Sequence, residues 1–251
     1  MLRCMRWNLA APNIRVPEGI QYFSERKALR IHTRNLPHWR QEGVTYFVTF
    51  RQKDSIPKAV WEAMKTEAVA WNQRIDDHVR EHGEISTSMA ADWEAFQRRQ
   101  WIQAERIADE CQGSCVLADA EVRQMMVDAL MFFEGSRQVM HALVVMPNHV
   151  HALVTPLPGW TLEKLTQSWK GFTSRTINGY LGREGPLWQE ESFDRIVRNE
   201  EHFERVVKYI VANPVKARVG VDRSTVGVSK TCAGGEEALR EEPPLMEGDE
   251  W

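Results

Sequence analysis

Cysteine is scarce in this chain: 4 residues in 251, at Cys4, Cys111, Cys115 and Cys232. Their spacing gives neither a disulfide framework nor paired Cys-x-x-Cys zinc knuckles. Reduced thiols are expected, with Cys111 and Cys115 as a minor alternative ligand pair. Long apolar runs are missing as well. A membrane span needs about 18 or more apolar residues in a row, and no such run exists. The opening Met1-Leu2-Arg3-Cys4-Met5-Arg6-Trp7 lacks the apolar core of a secretory signal, so a cytoplasmic location and no membrane partner are expected. Internal repeats are absent.

A strong charge of either sign is also lacking. The net charge is −3, which speaks against a strongly basic nucleic-acid binder. The distribution changes that reading. Gly220–Trp251 holds 3 Lys/Arg against 8 Asp/Glu, so residues 1–219 carry a net +2. The acidity belongs mostly to the tail, and the mildly basic body permits nucleic-acid binding without requiring it.

What is present is a 43% hydrophobic chain, long enough for one large domain with appendages. Residues 1–35 show no clean period and read as an N-terminal extension. Gly43–Phe50 is β-branched and aromatic throughout and reads as a buried strand ending at Arg51. From Pro57 to about Arg80, and again from Met89 to Ile107, apolar residues recur at helical spacing. The two helices form a hairpin inserted over about 57–110, with its Trp residues read as packing and an interaction or DNA-contacting face as the alternative. Asp119 caps a third helix that Gly135 stops. Two strands follow, Arg137–Met146 and His149–Thr155, antiparallel across the short Pro147-Asn148 break. Thr161 starts a helix to about Tyr180, with Leu162, Leu165, Trp169, Phe172 and Ile177 on its buried side. Lys164, Lys170, Ser174 and Arg175 lie on its other side. A short strand spans Ser192–Arg198. Asn199 caps the last helix, which Pro214 should stop. Beyond Val219 the chain turns Gly-, Glu- and Pro-rich, and 220–251 reads as an acidic disordered tail. The order predicts an α+β fold, a ferredoxin-like or RRM-like antiparallel sheet with helices on one face.

The chemistry concentrates in Val144-Val-Met-Pro-Asn-His-Val-His-Ala-Leu-Val154. Successive side chains of a strand point to opposite faces, so His149 and His151 share one. Two adjacent imidazoles make half a divalent-metal site. The other half must come from elsewhere. On the last helix, Tyr209 and Asn213 are four apart and share a face. If that face meets the His strand, the site holds two imidazoles, an amide oxygen and a phenol. Such a set suits phosphoryl transfer, with a hard cation polarising the phosphodiester and tyrosine as the nucleophile. The phenol's ordinary pKa of about 10 means that it needs help losing its proton. The bland alternatives are a structural His-x-His pair and an edge-of-core tyrosine.

The chain resembles the HUH single-tyrosine transposases, in particular the REP-associated tyrosine transposases. The matching words are Gly43-Val-Thr-Tyr-Phe-Val-Thr-Phe-Arg51, Gly113-Ser-Cys-Val-Leu117, the His149-Val150-His151 stretch, Ser168-Trp-Lys-Gly-Phe-Thr173, Leu187-Trp-Gln-Glu-Glu-Ser-Phe-Asp194 and Tyr209-Ile-Val-Ala-Asn-Pro-Val-Lys216. They run in family order across about residues 37–219, which defines a catalytic domain over 36–219. The resemblance implies that His149 and His151 are metal ligands, that Asn213 is a third, and that Tyr209 is the nucleophile. The cofactor would be Mg²⁺ or Mn²⁺. The substrate would be single-stranded hairpin DNA, cleaved to a 5′-phosphotyrosine and a free 3′-hydroxyl. Trp169, Lys170, Arg175, Trp188 and Arg198 are the expected DNA contacts, and the protein would be a monomer or homodimer. Departures are the long hairpin and a tail without the Trp-Ser-Ser-type word. Competing readings are a domesticated hairpin-DNA-binding protein, and a phosphodiesterase in which water replaces tyrosine. Tyr180 is the rival nucleophile.

Overall fold

A computed structural model describes residues 14–24, 30–33, 37–229 and 231–232. A small antiparallel pair, β1 (Arg30–Thr33) and β2 (Pro37–Arg40), precedes the main sheet. The core unit runs β3 (Tyr46–Arg51), α3 (Ala120–Met131), β4 (Gln138–Val145), β5 (His149–Pro156), α4 (Leu162–Leu181) and β6 (Phe193–Ile196). Two long helices, α1 (Lys58–His82) and α2 (Thr87–Asp109), are inserted after β3 as the predicted hairpin. After β6 come α5 (Glu200–Lys216) and β7 (Thr225–Val228). The strand order is β6-β3-β5-β4-β7, and every pairing is antiparallel. Without β7 this is the ferredoxin-like order, as the alternation of strands and helices predicts.

Period-2 alternation sorts the strand residues between two cores. Tyr46, Val48, Phe50, Val150, Ala152 and Val154 face α3 and α4. Phe47, Val144 and Leu153 face α5 and the end of α2. The two crossover helices thus share one face, as expected, while α5 and α2 close the other. The inserted hairpin packs on itself through Trp71, Trp93 and Phe96, so Trp71 and Trp93 serve packing. Its turn is set by Gly83, which caps α1 at φ 81°. The predicted N-caps hold, Asp119 accepting from Glu121 and Val122 and Asn199 from His202, and Thr161 at the expected start of α4 accepts from Lys164, whereas α3 ends at Met131, before the expected stop at Gly135.

Three expectations are corrected. Pro214 does not stop α5, which continues to Lys216. A proline removes one i→i−4 bond, and this close to the helix end the last turn still closes, through Ala217 N–H to Asn213 O. Phe172 is 49% exposed rather than buried, because Trp169 and Thr173 take the inward positions of α4. The described residues after Val219, 220–229 and 231–232, belong to the folded unit rather than to a disordered tail. Strand β7 pairs with β4, and Val226 and Val228 enter the core. The remainder of the acidic tail and most of residues 1–35 lie outside the described residues.

Candidate active site

The register of the sheet builds the site. In the β3–β5 ladder, Thr49 lies opposite His151 and Arg51 opposite His149. Directly opposed residues project to the same face and touch. Thr49 Oγ1 is 2.8 Å from His151 Nδ1. His149 Nδ1 is 2.8 Å from Asn148 Oδ1. The Asn148 amide donates to Gln112 O at 3.0 Å, which leaves its oxygen to accept. His149 therefore carries its proton on Nδ1 and keeps the Nε2 lone pair for a ligand. Burial, then His151, pushes His149 down to about 3, so it is neutral near pH 7 and fit to coordinate.

Helix α5 packs across this strand with its Tyr209 face inward. The Tyr209 ring centroid lies 5.2 Å from that of His151, edge to face, and 5.8 Å from Phe47. Tyr209 is only 4% exposed and Asn213 is fully buried. The residues singled out on spacing, His149, His151, Tyr209 and Asn213, are thus one cluster.

The structure adds a residue that spacing did not reveal. Glu105, from α2, reaches into the middle of the site. Tyr209 Oη donates to its Oε2 at 2.5 Å. That same oxygen lies 3.0 Å from His151 Nε2. Its Oε1 is ion-paired with Arg51. Burial acts to raise the Glu105 carboxyl, but His151 and Arg51 outweigh it and hold the group well below the usual carboxylate range. Tyr209 is driven the other way, well above 10, by burial first and then by the Glu105 charge and hydrogen bond. A signal for Glu105 does exist in the sequence. Trp101, Ala104, Glu105 and Ala108 form one i, i+3, i+4, i+7 stripe, and a carboxylate within a buried stripe needs a partner.

The residues present fit a divalent cation. Ligand atoms of Glu105, His149 and His151 all lie within 4.8 Å of one another. His149 Nε2 and both amide atoms of Asn213 are buried without a hydrogen bond of good geometry, although the amide is close enough to favour charged His149. Buried polar atoms without partners are uncommon, and a cation would satisfy the lone pairs among them. Cys111 and Cys115 are not part of it. Cys115 Sγ–H donates to Cys111 O at 3.0 Å, and burial pushes its thiol up to about 11.

The expected DNA contacts fare unevenly. Trp169 is 1% exposed and stacks on Phe50 in the α4-side core. Trp188 is 5% exposed, and its indole N–H donates to Thr173 Oγ1 at 2.9 Å. Both are core residues, and the expectation that they stack on DNA bases is corrected accordingly. Lys170 and Arg175 lie on α4, across the sheet from Tyr209; Lys170 Nζ donates to Glu190 O at 2.8 Å. Arg198 alone of the five borders the Tyr209 face, ion-paired with Glu94 of α2. Tyr180 is 51% exposed at the far end of α4.

The fold is the antiparallel α+β sheet read from the sequence, with the His–Tyr cluster on its α5 face. Residues 118–213, from the turn before α3 to Asn213, match the family described as transposase IS200-like, which bears out the family resemblance. Among solved structures the chain is similar to a REP-associated tyrosine transposase bound to a REP hairpin, at 15% identity and a TM-score of 0.41, covering 71% of each chain. No curated protein matches. Among the described residues, no helix is long and apolar enough to cross a membrane.

Proposed function

We propose that this protein is a single-stranded DNA transposase that nicks and rejoins hairpin DNA through a covalent phosphotyrosine. The observation that carries the reading is the Tyr209–Glu105–His151 arrangement beside His149 and Asn213. A phenol already hydrogen-bonded to a carboxylate, next to a set of hard and imidazole ligands, is the equipment of tyrosine-mediated phosphoryl transfer.

Each residue then has a role. His149, His151 and Glu105, with the Asn213 amide, would hold Mg²⁺ or Mn²⁺, which when bound polarises the scissile phosphate and stabilises its transition-state charge. Tyr209 Oη, oriented by its hydrogen bond to Glu105 Oε2, attacks phosphorus, and its proton passes on to the leaving 3′ oxygen. The bond from phosphorus to the 3′ oxygen breaks, that oxygen takes up a proton, and the 5′ phosphate remains on Tyr209. Reversal by another 3′-hydroxyl restores the phosphodiester and frees the phenol, so the bond energy is kept. Arg51 fixes Glu105 from the opposite side.

The test is incubation with Mn²⁺ and labelled single-stranded hairpin DNA, read on a denaturing gel. A protein–DNA adduct that persists in Tyr180→Phe and vanishes in Tyr209→Phe is expected. Cleavage without any adduct would assign hydrolysis by water instead, and binding without cleavage would leave a DNA-binding protein.

A further inference from the structure

Between α2 and β6 lies a pocket that the reaction described above does not use. Its inner wall is Trp101 and Phe47, the same two rings that touch Tyr209. Phe193, half-buried, stacks on Trp101 with centroids 5.5 Å apart and planes 30° apart, extending an aromatic platform away from the tyrosine. The outer wall carries three arginines, Arg98, Arg195 and Arg198.

The charge here is unbalanced. Of the two acids in the lining, Asp194 is engaged by Arg40 at 2.5 and 3.0 Å, and Glu94 by Arg198. Two groups register the surplus of cations. Arg195 is lowered by burial and then by Arg198, with Glu94 acting against it and Arg98 and Arg205 adding to it. His202, which also lines the pocket, is held down to about 4 by burial, then by Arg195, Arg205 and Arg198. A flat aromatic surface beside converging guanidinium groups is complementary to a base with its phosphate, since stacking and phosphate contact are how single strands are held.

We infer that this pocket seats one unpaired nucleotide of the DNA strand adjoining the phosphate that Tyr209 attacks, its base on the Phe193–Trp101 platform and its phosphate among Arg98, Arg195 and Arg198. The inference rests on the DNA substrate proposed above and adds a subsite that the inserted hairpin itself completes. It explains why the hairpin contributes both the carboxylate in the catalytic cluster and, one turn earlier, the aromatic wall of the pocket.

The experiment uses the full chain and two hairpin DNAs, one with a single-stranded flank and one without. A fluorescent adenine analogue is placed at each flank position in turn. Wild type and Tyr209→Phe should both quench the analogue at one position, because quenching needs the pocket and not the chemistry. Arg195→Gln and Phe193→Leu should each weaken binding of the flanked hairpin about tenfold, abolish that quench, and leave the flankless hairpin's affinity unchanged. Thermal melting checks that each variant is folded, and Arg98→Gln, on the helix wall, repeats the test from a second element. Variants that melt like wild type yet keep the quench and the affinity overturn the inference. So does an equal loss for both hairpins, which would mean a general electrostatic contribution. The two readings separate cleanly. An adduct at Tyr209 without quenching at any position removes the pocket and keeps the chemistry. Quenching that depends on Arg195 and Phe193 without any adduct keeps the pocket and removes the chemistry.

Discussion

His149 keeps its Nε2 lone pair because a chain of small contacts fixes its other nitrogen. The imidazole donates to Asn148, and Asn148 donates to Gln112 in the loop after α2. That loop can pass there only because Gly113 adopts φ 87°, with Asp54 O 2.5 Å from where a Cβ would stand. Gly113→Ala therefore adds left-handed strain to a backbone clash and should cost about 2 kcal/mol or more, read as a lower urea midpoint. Unchanged stability would show that the loop is not anchored this way. Glu105 makes a sharper residue-scale case. It is 2% exposed and neutralises Arg51. Glu105→Ala leaves a buried uncompensated guanidinium, which costs about 3–5 kcal/mol, whereas Glu105→Gln keeps the volume and should be milder. Both should weaken Mn²⁺ binding measured by calorimetry, and wild-type affinity in Glu105→Gln would exclude the carboxylate as a ligand. The His pair, Tyr209 and Asn213 could be read from the sequence because strand and helix periods place them without knowledge of the fold. For Glu105 the sequence signals only burial, in its stripe; its partners are 46 or more positions away along the chain, and only packing brings them together.

At the scale of elements, sequence periodicity recovers both inserted helices, the two central strands and the helix caps. It fails where tertiary pairing overrides local preference. Strand β7 is four residues, Thr225-Val-Gly-Val228, with a glycine that weakens intrinsic strand preference. It exists because the outer edge of β4 is open to pairing and because Val226 and Val228 fill the α5-side core. A chain ending at Val219 should expose that edge, lose stability and aggregate on concentration, measured by melting and light scattering. Wild-type behaviour of the truncated chain would show that β7 adds nothing. The expectation of Trp169 and Trp188 as DNA contacts failed for a related reason. A tryptophan serves packing and stacking equally well, and only the contacts of Trp169 on α4 and of Trp188 in the segment after it with Phe50 of β3 decide between them.

For the whole molecule, the two faces of the sheet divide the labour. The α3–α4 face is a closed apolar core, whereas the α5–α2 face encloses the polar cluster. Enclosure has a consequence for pH. His141 and His202 are both held down to about 4, with burial the leading cause. Each is neutral in the folded state, while the unfolded chain binds its proton near the ordinary pKa of about 6.5. Their contribution to stability is complete above that value. It is lost as pH falls from about 6.5 towards 4, at roughly 1.4 kcal/mol per pH unit for each histidine at the steepest. The urea midpoint should decline across that window and recover in part in a His141→Gln, His202→Gln variant; a flat profile would contradict the buried neutral assignment.

The central claim is that Tyr209 forms the bond to DNA. Its most direct measurement is the site of attachment: the Mn²⁺-dependent adduct with hairpin DNA is digested with protease and nuclease, and the peptide carrying the residual nucleotide is identified by mass spectrometry. The account predicts that the nucleotide resides on the peptide containing Tyr209 and on that tyrosine alone. Attachment at Tyr180, Tyr46 or Tyr22, or cleaved DNA with no nucleotide-bearing peptide, would contradict it.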